Sequence, residues 1–227
     1  MTDPSYTHIS VLSDKSGSME QIRADAEGGI NAFIRDQQKT TKKIKGGRAT
    51  LSFVEFANSS HYVYDFVDLA EVPDPAYKLR PSGGTALVES MVKFINNTGQ
   101  RLASLPEAIR PGAVLFVVTT DGEENSSGSD YTSEQLKKLV KKQTDKYGWK
   151  FLFLAANQDA FAAANAYGFN KGATINFNAT AAGAQNVYAS TSGLTSSYRT
   201  LAAAGASDTA LASVGYSTED REAAASH

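Results

Sequence analysis

Five oxygen-bearing residues in three short stretches carry the chemistry most readily read from this chain. They are Asp14, Ser16 and Ser18 in "DKSGSM", Thr85 in "GGTAL", and Asp121 in "VVTTDGEEN". Two carboxylates and three hydroxyls form an all-oxygen set, the donor type suited to a hard divalent cation such as Mg²⁺, Mn²⁺ or Ca²⁺. Softer metals are poorly supplied. The chain has no cysteine, which excludes disulfides and thiolate zinc sites, and its three histidines, His8, His61 and His227, are scattered. Each stretch also has a plainer reading. Asp14, Ser16 and Ser18 suit a turn with a helix N-cap, Thr85 suits a cap for the helix after it, and Asp121 suits the start of an acidic turn.

The choice between these readings depends on whether the secondary structure brings the three stretches together. "THISVLS" (7–13) is a short apolar-rich run bounded by polar residues, as in a buried strand. Beyond it Met19, Ile22, Ala26, Ile30, Phe33 and Ile34 recur at spacings of three and four, which predicts an amphipathic helix from Met19 to about Gln38. "ATLSFVEFA" and "HYVYDFV" around "NSS" read as a β-hairpin. "ALVESMVKFINNTGQRLASL" has a helical period, and "GAVLFVVTT" is the most apolar β-run, suited to a central parallel strand covered on both faces. A lysine-rich helix near 132–146, the strand "WKFLFLAA", the helix "QDAFAAANAYG" and the short strand "ATINF" follow.

This alternation predicts an α/β fold: a doubly wound, Rossmann-like, mostly parallel six-stranded sheet with one antiparallel edge strand and helices on both faces. The reading is a single domain over 1–227. Its core is about 7–177, and an Ala/Ser/Thr/Gly-rich helical extension covers about 178–227. Val187, Thr191, Leu194, Tyr198 and Leu201 predict one packed helix there, and the closing "STEDREAAASH" reads as a frayed helix. In such a sheet, ligands bind in the crevice beyond the strand C-termini where strand order reverses. If the strands ending at Asp14 and Asp121 flank that reversal, all five oxygens share one edge.

The three motifs together resemble the von Willebrand factor type A (VWA) domain with its metal-ion-dependent adhesion site (MIDAS). That pattern is Asp-x-Ser-x-Ser, a distant Thr, and a distant Asp after a hydrophobic strand. Asp14, Ser16, Ser18, Thr85 and Asp121 fill it in order. The resemblance covers roughly residues 7–177, and "FLAANQDA" is similar to compact stand-alone bacterial and phage members. It implies a divalent ion, Mg²⁺ first, with Ser16, Ser18 and Thr85 as direct ligands and Asp14 and Asp121 acting through waters. It also implies a protein partner that offers a Glu or Asp carboxylate. Glu123, Asn125 and Asp159 are the expected partner-binding rim.

Other classes fit less well. Apolar residues make up 41% and charged residues 20% of the 227, as in ordinary globular proteins, and the net charge of −2 gives no drive toward nucleic acid or anionic membrane. "KKLVKKQTDK" reads as a solvated helix face. No run reaches the ~18 apolar residues of a membrane span, and the N-terminus lacks a secretory pattern, so a cytoplasmic or phage-associated adaptor is expected. No catalytic residues are assigned: there is no G-x-S-x-G elbow and no P-loop. A metal-dependent hydrolase using the same ion and a metal-free scaffold remain the rival readings.

Overall fold

In a computed structural model, which describes residues 2–156 and 160–226, the sheet is organised around β1 (Asp3–Asp14). Ile9 and Val11 point to one helical layer, while Leu12 packs in the other. Both faces are covered by these layers, and both edges are paired, because β1 lies between β2 (Arg48–Phe56) and β4 (Pro111–Thr120), parallel to each. The strand order is β3-β2-β1-β4-β5-β6, with β3 (Ser60–Asp68), β5 (Lys150–Ala156) and β6 (Thr174–Phe177) completing it. Among the described residues only the β2–β3 pair is antiparallel. The sheet is therefore six-stranded and mixed, with the antiparallel hairpin strand at its edge, as the sequence predicted.

The chain builds outward from β1 through β2 to β3, then returns to the other side of β1 with β4. The order thus reverses between β1 and β4, and their C-terminal ends are where the ligand crevice of such a sheet is expected. One helical layer holds α1 (Arg23–Lys43) and α5 (Ala181–Ala203), with Ile30, Phe33 and Ile34 packed in the same cluster as Val187 and Tyr188. The other holds α2 (Leu87–Ser104), α3 (Ser133–Tyr147) and α4 (Ala160–Tyr167) over Phe116, Val118 and Phe153.

Three boundaries of β1 and α1 differ from the sequence reading, the first being that β1 begins at Asp3 rather than Thr7. Met19 lies in a 3₁₀ turn, Gly17–Ile22, and α1 begins only at Arg23 but runs on to Lys43. Polar residues carry it past Gln38: Gln37 and Thr40 are buried against α5, with Thr40 Oγ1 2.8 Å from Ser196 Oγ. The C-terminal stretch holds α5, α6 (Asp208–Ser213) and α7 (Thr218–Ala224). The last of these is not frayed. Ser217 and Asp220 form a capping box, Asn178 Nδ2 donates to Ala225 O at 2.7 Å, and Arg221 Nη2 donates to Lys171 O at 3.0 Å.

Candidate metal centre

Asp14 is the last residue of β1 and is fully buried. Its carboxylate is held at both oxygens. Oδ1 accepts from the Ser16 backbone N–H at 2.6 Å, and Oδ2 accepts from Thr120 Oγ1 at 2.7 Å, across the β1–β4 seam. Ser16 occupies the cap position of the 3₁₀ turn, yet its hydroxyl makes no capping bond. It lies instead 3.1 Å from Ser18 Oγ, and Ser18 Oγ donates to Asp121 Oδ1 at 2.8 Å. Ser16 and Asp121 are buried, whereas Ser18 is exposed, so the cluster opens to solvent on that side.

Thr85 arrives on the loop before α2. It is not the helix cap, a position taken by Ala86, which offers no side-chain oxygen. A methyl group placed on Gly122, the residue after Asp121, would stand 3.2 Å from Thr85 Oγ1 and 3.6 Å from Ser18 Oγ. The Thr85 and Ser18 hydroxyls and the Asp121 loop therefore converge on one place. Backbone bonds stitch the loops together: Gly17 N–H donates to Gly83 O at 3.0 Å, and Ser82 N–H to Lys15 O at 2.7 Å. Gly83 has φ +80°, a left-handed conformation that a side chain would strain. At Gly84 a Cβ would stand 2.3 Å from Ser126 Oγ, so only glycine permits this approach.

Burial pushes the Asp14 carboxyl up to about 6, against the opposing effect of its bonds from Thr120 and Ser16. Burial also raises the Asp121 carboxyl, and the Ser18 hydrogen bond partly offsets this. The adjacent cation does not help. Lys15 Nζ turns away to Glu55 Oε1 at 2.9 Å and to His61 Nε2 at 2.9 Å. Two buried carboxylates beside three hydroxyls, without a basic partner among the described residues, form a pocket of negative potential that a hard cation fits. Among the described residues there is no group of three His, Cys, Asp or Glu side chains that could hold a metal, so an ion here would need the hydroxyls.

The remaining predicted rim residues fare differently. Glu123 is exposed. Asn125 is turned inward in part: its Oδ1 accepts from Thr85 N–H at 2.9 Å. Asp159, with Asn157 and Gln158, lies outside the described residues. Glu124, in the acidic turn after β4, accepts from Val88 N–H at 2.7 Å and from Ser127 Oγ at 2.7 Å, at the start of α2. Sequence reasoning missed Thr120, Glu124 and Asn58, whose Oδ1 accepts from Gly84 N–H at 2.7 Å. The absence of a capping side chain at Ala86, just before Leu87, is the signal that could have pointed to an acceptor from elsewhere.

No family model and no curated protein matches the sequence. Solved structures do. Proximal thread matrix protein 1 from the mussel byssus superposes with a TM-score of 0.61 in one crystal form, at 15% identity over 80% of this chain and 46% of that one. The form described as having a zinc-occupied MIDAS motif gives 0.59, at 13% identity over 86% and 47%. The von Willebrand factor type A structure from Catenulispora acidiphila gives 0.53, at 13% identity over 87% and 42%. The vWF domain of the type V pili tip protein Mfa5 from Porphyromonas gingivalis gives 0.54, at 12% identity over 83% and 95%. This chain spans about half or less of the first three of those chains. The fold is that of a VWA domain.

Proposed function

We propose that this chain is a divalent-cation-dependent protein-binding domain whose MIDAS-type centre grips an acidic residue of a partner. The observation that carries this reading is the convergence of the Ser16, Ser18 and Thr85 hydroxyls with two buried carboxylates, neither paired with a basic side chain among the described residues, at the C-terminal ends of β1 and β4. Ser16, Ser18 and Thr85 would hold the ion directly, and Asp14 and Asp121 through water. Mg²⁺ suits the set best, and Mn²⁺ or Ca²⁺ are alternatives. With neutral oxygens nearest to it, a bound ion would supply electrostatic attraction for one further anionic oxygen, such as a Glu or Asp carboxylate from another protein.

Binding is favoured over hydrolysis by the histidines. His8 is buried in β1 with Nδ1 2.9 Å from Thr50 Oγ1, and His61 Nε2 lies against Lys15 and Glu55. Their hydrogen bonds thus go to Thr50, Lys15 and Glu55 and not to Ser16 or Ser18. Among the described residues no helix is long and apolar enough to cross a membrane, and the cysteine-free composition is compatible with the cytoplasmic setting that belongs to this proposal. Calorimetric titration with Mg²⁺ and Mn²⁺ tests the metal. Wild type should bind one equivalent, and Asp14→Ala and Asp121→Ala should not. Affinity capture in Mg²⁺ and in EDTA then tests the partner: a specific partner should be retained only with metal. Absence of metal binding by folded wild type would refute the proposal.

A further inference from the structure

We propose that Asn125 is a positioning residue of the metal centre, clamping Thr85 to the loop that carries Asp121 so that the two groups reach the ion as one unit. The inference rests on the metal-binding reading above. Thr85 N–H donates to Asn125 Oδ1 at 2.9 Å, and Asn125 N–H donates to Thr85 O at 3.0 Å. One residue thus engages both backbone polar groups of Thr85. Ser126 Oγ donates to the same Oδ1 at 2.6 Å and holds the amide in place.

The clamp sits in a wider strap. The first turn of α2 lacks a cap from its own chain segment, because Ala86 has no oxygen to offer. Glu124 and Ser127 provide it from across the crevice. Val88 N–H donates to Glu124 Oε2 at 2.7 Å, and Glu89 N–H donates to Ser127 Oγ at 2.9 Å. Glu124 Oε1 in turn accepts from the N–H groups of Ser126 and Ser127, at 2.9 and 2.8 Å. The loop after β4 is therefore folded around the start of α2, and Asn125 is the point where that folding reaches Thr85. A site built this way binds without first having to order two separate loops.

The test is a double-mutant cycle on the Mg²⁺ dissociation constant of the full chain, measured by calorimetry. It uses wild type, Asn125→Ala, Thr85→Ala and the double variant. Melting in EDTA verifies that each is folded. Asn125 is exposed and its bond to Thr85 part-buried, and losing this hydrogen-bonded clamp should raise the constant about 10-fold in Asn125→Ala. The same change in the Thr85→Ala background should have less than about a twofold effect, because the clamp then has nothing to position. Asn125→Asp keeps the Oδ1 acceptor and should restore wild-type affinity or better. Asn125→Ser, whose hydroxyl is too short to reach Thr85 N–H, should match Asn125→Ala and serves if that variant fails to fold. An unchanged constant in folded Asn125→Ala, or an equal loss in the Thr85→Ala background, would overturn the positioning role. Absence of Mg²⁺ binding by wild type would instead remove the metal reading on which it depends.

Discussion

Replacing Asp14 with asparagine should stabilise the metal-free protein while abolishing its response to Mg²⁺. In the metal-free fold, burial holds the Asp14 carboxyl at about 6 against 3.8 for the free side chain. Above pH 6 the folded state must keep an ionised carboxylate in the β1–β4 seam. Below 3.8 both folded and unfolded chains are protonated and the penalty vanishes. Stability of the metal-free protein therefore gains from this group as pH falls through 6 and loses as pH rises. At about 1.4 kcal/mol per pH unit, the gap corresponds to a cost of about 3 kcal/mol at pH 8. The amide can keep the existing bonds. Its oxygen still accepts from Ser16 N–H, and Thr120 Oγ1, which also lies 3.1 Å from Gly122 O, can donate there and accept from the new N–H. Some of the charge-assisted strength is lost, so a net gain of about 2 kcal/mol is expected. For a chain of this size that is a rise in Tm of about 4–8 °C. Melts followed by circular dichroism at pH 8 in EDTA measure it. In excess Mg²⁺ wild type should rise further and the variant should not, since only a folded state that binds the ion is stabilised by it. A variant that melts below wild type in EDTA, or one that Mg²⁺ stabilises as strongly as wild type, would refute the reasoning.

His8 is fully buried, and its imidazole is held down at about 3 by burial first and the charge of Arg101 second. The unfolded chain takes up the proton first, so stability should fall as pH drops from about 6.5 toward 3. Urea denaturation between pH 6 and 4 should show a His8→Gln variant losing a slope of about 1.4 kcal/mol per pH unit. A Cβ added at Gly29 would stand 2.1 Å from the Tyr188 ring, so Gly29→Ala should cost about 1–3 kcal/mol in the same assay, by forcing α1 and α5 apart. Gly84→Ala should weaken Mg²⁺ binding about 10-fold in calorimetry, because its methyl group would displace Ser126 and Asn125 from the loop carrying Thr85.

The sheet was legible because most of its strands carry apolar runs and are separated by periodic helices. That Asp14 and Asp121 share one edge followed only on the condition that their strands flank the reversal, which the strand order supplies. What stayed hidden is polar and long-range. Arg199 would read as a surface residue of α5, yet it is buried, with Nη1 donating to Gln37 O at 2.8 Å and Nη2 to Thr41 Oγ1 at 2.6 Å. Its partners lie on α1, so no local pattern signals them, and the same polar contact carries α1 past its apolar stripe. Glu124 and Asn125 sit in an acidic, turn-like stretch and look solvated. Their role depends on α2 starting opposite them without a cap of its own. Helix α6 is only six residues long, too short for a period to show.

The most direct measurement of the metal centre is titration of the isotopically labelled protein with Mn²⁺, read as paramagnetic broadening of its amide NMR signals. The account predicts that signals of residues 15–18, Thr85 and Gly122 are lost first, that Mg²⁺ restores them by competition, and that Asp121→Ala abolishes the effect. Broadening centred elsewhere, or unchanged in folded Asp121→Ala, would contradict it.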